Sequence, residues 1–199
     1  IDYRIDMHLK KNKSKGIAID GIPIKKASQL FGIVNLVFFS PEDLNIIKNG
    51  PSERRRFLDL ELCQLSKIYL QDLADYNKIL NQRNKLLKDI SFSPGLADTL
   101  DIWDMQLCSY GKKIIHIRKQ FMEELNLIIH QIHGRLTGDK EDICLEYEPD
   151  VNEDEFETRL ALARDKDLKM KVSSTGPHRD DFCVRVNGID IRKFGSQGQ

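Results

Sequence analysis

Apolar residues along this chain change period several times, and the changes mark out its elements. Ile1, Tyr3, Ile5, Met7 and Leu9 alternate with more polar neighbours, the period of a half-buried strand. A polar stretch at 12–16 turns the chain. Ile17, Ile19, Ile22 and Ile24 then continue as strand material around an Asp20-Gly21 turn, predicting an antiparallel meander. A short amphipathic helix is expected over Lys26 to Phe31. Ile33 to Phe39 follows, a run apolar enough for a strand buried on both faces.

Helical periods take over at Ser40-Pro41-Glu42-Asp43, where a serine cap, a first-turn proline and an acid three residues on open a helix that Gly50-Pro51 ends. From Ser52 to about Asp89, Leu58, Leu62, Leu65, Tyr69, Leu73, Tyr76 and Leu80 step by three or four, with Ser66 as a candidate break. After Ser93-Pro94-Gly95 a second stripe runs through Leu100, Trp103, Leu107, Tyr110, Ile114, Ile117 and Phe121 and ends near Gly134 to Gly138. Two long stripes with a short connector predict an antiparallel helical hairpin. Beyond it, Ile143, Leu145 and Tyr147 alternate as a strand. Asn152 with Glu155 reads as the cap of a helix carrying Phe156, Leu160 and Leu162. Met170 to Ser173 and Phe182 to Val186 are strand-like, with Asn187-Gly188 as a hairpin turn. The fold class expected is α+β: strands, a long helical insertion, then strands again.

Composition narrows the function classes. Lysine plus arginine equals aspartate plus glutamate at 31 each, so no global field draws the chain to nucleic acid or an anionic membrane, and any DNA contact must come from a local patch. Residues 139–167 carry twelve acids against four bases. Four cysteines stand far apart without a CxxC pair, which fits a reducing cytoplasm better than a zinc site or a disulfide scaffold. No run reaches the roughly 18–20 apolar residues of a membrane span, and no signal peptide is recognisable. The chain opens without methionine inside a strand pattern and reads as an internal piece of a longer protein.

Several clusters carry candidate chemistry. Arg54, Arg55 and Arg56 sit at a helix start, where the macrodipole disfavours cations, so helix stability does not explain them. Lys112, Lys113, Arg118 and Lys119 make a second basic group on the hairpin. Both are candidates for DNA contact, against the alternative of a solvated helix face. His178, Arg179, Asp180 and Asp181 combine an imidazole, a cation and two carboxylates. A metal-dependent phosphohydrolase uses such groups, but further ligands are missing, and a salt-bridged loop is the simpler reading. His130 and His133, three apart on a helix, lack an obvious third ligand and read as ordinary histidines. Ser196-Gln197-Gly198-Gln199 is a backbone-permissive turn with a hydroxyl, a form that cradles phosphate or simply turns.

The stretch TGPHRDDFCVRVNGIDIRKFGSQGQ, and VFFSPEDLNIIKNGPSERRRFLDLELCQLSKIYLQDLADYNKILNQRNKLLKD before it, closely resemble the RecF family of bacterial recombination-repair proteins, in the same order and over essentially the whole chain. The resemblance implies part of an ABC-type ATPase head, with antiparallel head strands over 1–39, a helical lobe over 40–138 and a return to the head over 139–199. It implies that Ser196, Gln197, Gly198 and Gln199 are a signature motif that meets the ATP of a second subunit, Ser196 and Gly198 at the γ-phosphate. Glu42 or Asp43 would then stand near the γ-phosphate sensor, and His178, Arg179 and Asp180 near nucleotide. The implied cofactors are ATP and Mg in a full-length homodimer. The implied partners are gapped or junction DNA with RecO and RecR, in repair, replication restart and the SOS response. No GxxxxGK[ST] loop and no strand ending in paired carboxylates occurs, so hydrolysis by this chain alone is not expected, tight cofactor binding is not expected, and no residue is assigned a catalytic role. Two other readings stay open: a non-enzymatic helical scaffold that docks a protein, and another structural-maintenance-type ATPase, whose coiled coil would be much longer.

Overall fold

The structure, a computed structural model, describes residues 2–12, 15–38 and 40–194. Strands β1 (Ile5–His8), β2 (Gly16–Ile19) and β3 (Ile22–Ile24) form an antiparallel meander, with Asp20 and Gly21 both at positive φ in the β2–β3 turn. Its predicted alternation is weakly used: Tyr3, Met7 and Leu9 are exposed. A single 3-10 turn over Ala27–Leu30 stands where a helix was expected.

Residues 33–38 are not a buried strand. They run irregularly, and Leu36, Val37 and Phe38 are exposed. The physical reason is pairing: a buried strand needs hydrogen-bonding neighbours on its edges, and both sheets among the described residues are three-stranded without this segment.

A 3-10 turn over Pro41–Leu44 leads into α1 (Asn45–Lys48), and the Asp43 carboxylate accepts from the Ser40 amide at 2.6 Å, as a capping residue does. Pro51 opens α2 (Pro51–Leu65), and α3 (Lys67–Asp89) follows after the break at Ser66, whose hydroxyl accepts from the Tyr69 amide at 3.1 Å. A connector containing a 3-10 turn at Pro94–Thr99 reaches α4 (Leu100–Thr137), 38 residues or about 57 Å long, closed by Gly138 in the left-handed region. α4 runs antiparallel to α2 and α3: Arg83 meets Asp104, Asp72 meets Lys113, and Tyr69 meets Arg118.

The second sheet is antiparallel, ordered β4 (Ile143–Glu148), β5 (Asp181–Val186), β6 (Ile189–Asp190), with Asn187 and Gly188 in the hairpin turn. Asn126 on α4 serves the free edge of β4, donating to the Leu145 carbonyl at 2.5 Å and accepting from its amide at 2.6 Å. Between the strands lie α5 (Phe156–Leu162) and α6 (Arg164–Met170), and the chain continues past β6 into α7 (Ile191–Phe194). Two expectations change here. Glu155 is the residue before α5 but makes no side-chain cap, since Asn152 and Glu155 join only through their backbones. Met170 to Ser173 is not a strand: Met170 ends α6 and Lys171, at φ 57°, reverses the chain so that Ser173 can be buried.

The main core lies inside the hairpin, where Tyr69, Tyr76, Leu107 and Ile114 meet Phe156 and Leu160 of α5. A second core joins Leu58 and Met122 to Leu145, Phe182 and Val184 of the second sheet. Gly111 lets Phe156 lie on α4: a Cβ there would stand 2.3 Å from the Phe156 ring.

Candidate functional site

The loop Gly176–Asp181 is pinned between the helical hairpin and the second sheet. Gly176 holds φ 129°, ψ 179°, which only glycine adopts readily, and its missing Cβ leaves room for the Tyr76 hydroxyl and the Phe156 ring. Its amide donates to Asp150 at 3.0 Å.

Asp180 lies at the centre, with no exposed surface. It accepts from Arg118 Nη1 at 2.8 Å, from the Asp150 amide at 3.0 Å and from the Tyr147 hydroxyl. Burial raises its carboxyl above the usual range, opposed by Arg118 and by the Tyr147 hydrogen bond. Arg118, equally buried on α4, also donates to the Pro177 carbonyl at 2.7 Å, the Tyr69 hydroxyl at 3.1 Å and Asp59 at 2.8 Å. Burial works against its charge, but Tyr69, Asp59 and Asp180 outweigh it and the guanidinium is held well above its ordinary pKa.

The Nε2 of His178 faces the Ser173 carbonyl at 3.0 Å and carries the proton there, and in the neutral ring Nδ1 accepts from the Tyr76 hydroxyl at 2.7 Å. Burial lowers its pKa, and the Ser173 contact only partly offsets this. With both ring nitrogens engaged, it has no lone pair for a metal or a substrate proton. Among the described residues no group of three or more His, Cys, Asp or Glu is placed to hold a metal ion. Nor is a thiol nucleophile available among the buried cysteines: burial pushes Cys63 up to about 11 and Cys108 and Cys183 up to about 12. His178, Asp180 and Asp181 thus form a latch that ties the loop to the hairpin and α2.

The arginine run is dispersed by helix geometry, since consecutive residues point about 100° apart. Arg54 turns inward and is buried. Its Nε and Nη2 fork Asp181 at 2.6 and 3.0 Å, while Nη1 donates to the Ile46 and Asn49 carbonyls at the end of α1. Arg55 is half-buried and donates to the Asp180 carbonyl at 2.7 Å. Burial and the neighbouring Arg118 lower its pKa. Arg56 is exposed and, among the described residues, its side chain makes no hydrogen bond or ion pair.

The second basic group is also divided. Arg118 is inside the latch, Lys112 pairs with Glu157 at 2.8 Å, and Lys113 pairs with Asp72 at 3.2 Å and lies over the Tyr110 ring. Lys119 is exposed on a cavity of about 590 Å³ shared with Glu123, Glu146, Glu153 and Asp154. Burial therefore removes Arg54 and Arg118 from the residues that can reach a DNA phosphate: a guanidinium closed inside carboxylates has no surface to offer. Arg179 is exposed, its contact to the Ser173 carbonyl long at 3.5 Å. His130 and His133 face separate acids, Asp142 and Glu141. Asp43 caps its own turn. The side chain of Glu42 and all of Ser196, Gln197, Gly198 and Gln199 lie outside the described residues.

One buried centre has no counterpart in the sequence reading. Arg83, fully enclosed on α3, donates to Asp104 at 2.6 Å, Asp167 at 2.7 Å and Ser173 at 2.8 Å, tying the far half of the hairpin to α6. The signal was present: Arg83 falls between Leu80 and Leu87 on the apolar stripe, where an exposed cation does not belong.

The open part of this region is a cleft of about 390 Å³ beside the latch, reached by Arg55, Arg56, Asn77 and His178. No family model matches the chain. Among curated proteins it is 65% identical over 199 residues to the DNA replication and repair protein RecF of Lachnospira eligens, covering 99% of this chain and 55% of that protein. It is 61% identical over 198 residues to RecF of Agathobacter rectalis, covering 100% and 55%. Among solved structures it resembles the recombination mediator protein RecF of the RecFOR pathway with ATP, at a TM-score of 0.88 and 35% identity, over 99% of this chain and 55% of that one. The chain spans about half the length of these relatives, and over that span it belongs to the RecF family.

Proposed function

We propose that this chain carries the helical-lobe half of an ATP-dependent DNA-binding protein of recombinational repair and replication, acting at single-strand gaps and junctions with RecO and RecR and in the SOS response. The observation that carries the reading is agreement along the whole chain, 65% in sequence with one RecF and a TM-score of 0.88 to another solved with ATP. In this reading residues 1–39 belong to the head, 40–138 form the helical lobe and 139–199 return to the head, in the bacterial cytoplasm. Ser196, Gln197, Gly198 and Gln199 meet the ATP and Mg of a second subunit, with Glu42 and Asp43 nearby. The latch then has a mechanical role. By tying α2, α3 and α4 to β4 and β5 through Arg54, Arg118 and Asp180, it makes the lobe and the strand leading to residue 199 move together, so ATP contact at one is felt at the other.

The deciding experiment joins this chain to the phosphate-loop part its relatives possess and titrates gapped DNA with and without ATP. ATP-dependent binding and dimerisation are expected, and Ser196→Arg should abolish both while leaving each subunit folded. DNA binding indifferent to ATP and to that substitution would overturn the reading.

The scaffold reading has one observation in its favour. Leu127, Ile128, Ile132 and Leu136 are exposed on the last turns of α4, more apolar surface than a solvated helix needs.

A further inference from the structure

The 390 Å³ cleft beside the latch combines two chemistries that its position alone does not require. Its floor is apolar, made by Phe31, Cys63, Leu73 and Ile114, with Leu60 exposed at the mouth, and its rim is polar, made by Ser52, Arg55, Arg56, Asn77 and His178. Asp59 and Arg118 reach its back wall, but they are paired to each other at 2.8 Å, so the wall carries no net charge. The free positive charge at the mouth is that of Arg56, whose side chain has no partner among the described residues, while Arg55 donates to the Asp180 carbonyl with the Asp180 and Asp181 carboxylates close enough to favour its charge. Ser52 adds the first turn of a 15-residue helix, where amides and macrodipole favour an anion. Among the described residues the side-chain carboxamide of Asn77 makes no hydrogen bond, leaving a donor and an acceptor turned to solvent.

An inorganic phosphate would use the rim and waste the floor. A fatty chain would use the floor and leave the arginines idle. A nucleotide needs both, and the cleft lies within the range of about 300–1,000 Å³ typical of small-molecule sites. A duplex does not fit, because its bases are stacked and their edges paired, whereas an unstacked base can enter a pocket and lie on apolar side chains. Resting on the DNA-binding reading above, we propose that this cleft seats one unstacked nucleotide of a single strand, with its phosphate on Arg55 and Arg56, its base on Leu60 and Phe31, and its edge read by Asn77.

The test uses this chain joined to the phosphate-loop part its relatives possess, with ATP present, and fluorescence anisotropy with two oligomers of equal length and charge, one of thymidines and one abasic. The thymidine oligomer should bind roughly tenfold more tightly than the abasic one, the scale of a stacked base. Leu60→Gln, at an exposed position, should erase that preference without changing the thermal transition. Arg56→Ala should weaken both oligomers and reduce the salt slope by about 0.7, the value for one phosphate contact on a single strand. Equal affinity for the two oligomers, or binding unchanged in both variants, would overturn the cleft and leave DNA binding standing. Absence of binding to either oligomer also overturns it, and the gapped-DNA titration of the longer protein then decides the broader reading separately.

Discussion

Arg118 and Asp180 are 62 residues apart in the chain and meet at 2.8 Å with side-chain exposures of 2% and 0%. The pair stands where hairpin, loop and sheet join, and each partner is the reason the other can be buried.

Breaking this pair should be costly. Arg118→Met leaves the Asp180 carboxylate enclosed without its counter-charge, and a loss of about 3–5 kcal/mol in urea unfolding is expected. Arg54→Met should cost less, about 2 kcal/mol, because Asp181 keeps Arg192 at 3.0 Å and the Phe182 amide at 2.9 Å. If the two variants lose the same stability, the latch is not centred on Asp180.

Gly111→Ala reverses an ordinary rule. In an exposed helix interior the change gains about 1 kcal/mol. Here the new Cβ would lie 2.3 Å from Phe156 Cε1 and 3.2 Å from the Tyr76 ring, so a net loss of about 1–3 kcal/mol is expected by thermal denaturation. Phe156→Leu in the same chain should recover part of it. A stabilised Gly111→Ala would show that α5 yields easily.

His178 predicts an acid weakness with a definite sign. Its folded pKa lies below the ordinary 6.5, so the unfolded chain binds the proton more tightly, and stability falls as pH drops below about 6.5. Asp180 acts oppositely. Its folded pKa is raised, so protonation below its folded pKa favours the folded form. From about pH 7 to pH 5 the histidine contributes the destabilising part of the profile. His178→Gln, which can donate to Ser173 and accept from Tyr76, should flatten the stability profile in that window. An unchanged profile would place the acid sensitivity elsewhere.

The Ser66 cap separates α2 from α3. Ser66→Ala should cost about 1 kcal/mol, and Ser66→Asp should retain most of it, both read from chemical denaturation. A neutral alanine variant would mean that packing of Tyr69 alone sets the helix start.

Much of this architecture is legible in the sequence. Leu58 to Leu80 and Leu100 to Phe121 are spaced as helix faces must be. Asp20-Gly21 and Asn187-Gly188 are turn dipeptides, and Ser66 and Gly138 punctuate helices by local chemistry. These signals act within a few residues, so they need no knowledge of the rest of the chain. The family could be read from the order of the motifs, and the relatives show it. The elements that depart from their local signals do so for long-range reasons. Ile33 to Phe38 has strand composition, but a strand exists only where a partner edge is offered. Met170 to Ser173 was decided by the end of α6. Above all, only the tertiary structure decided which charges act on solvent and which hold the fold. Arg54, Arg55 and Arg56 are identical letters on adjacent positions, yet the 100° turn between them sends one into Asp181, one along the Asp180 backbone and one into water. Arg83 and Arg118 are buried because carboxylates far away in sequence converge on them, a coincidence of three-dimensional packing that local periodicity does not record.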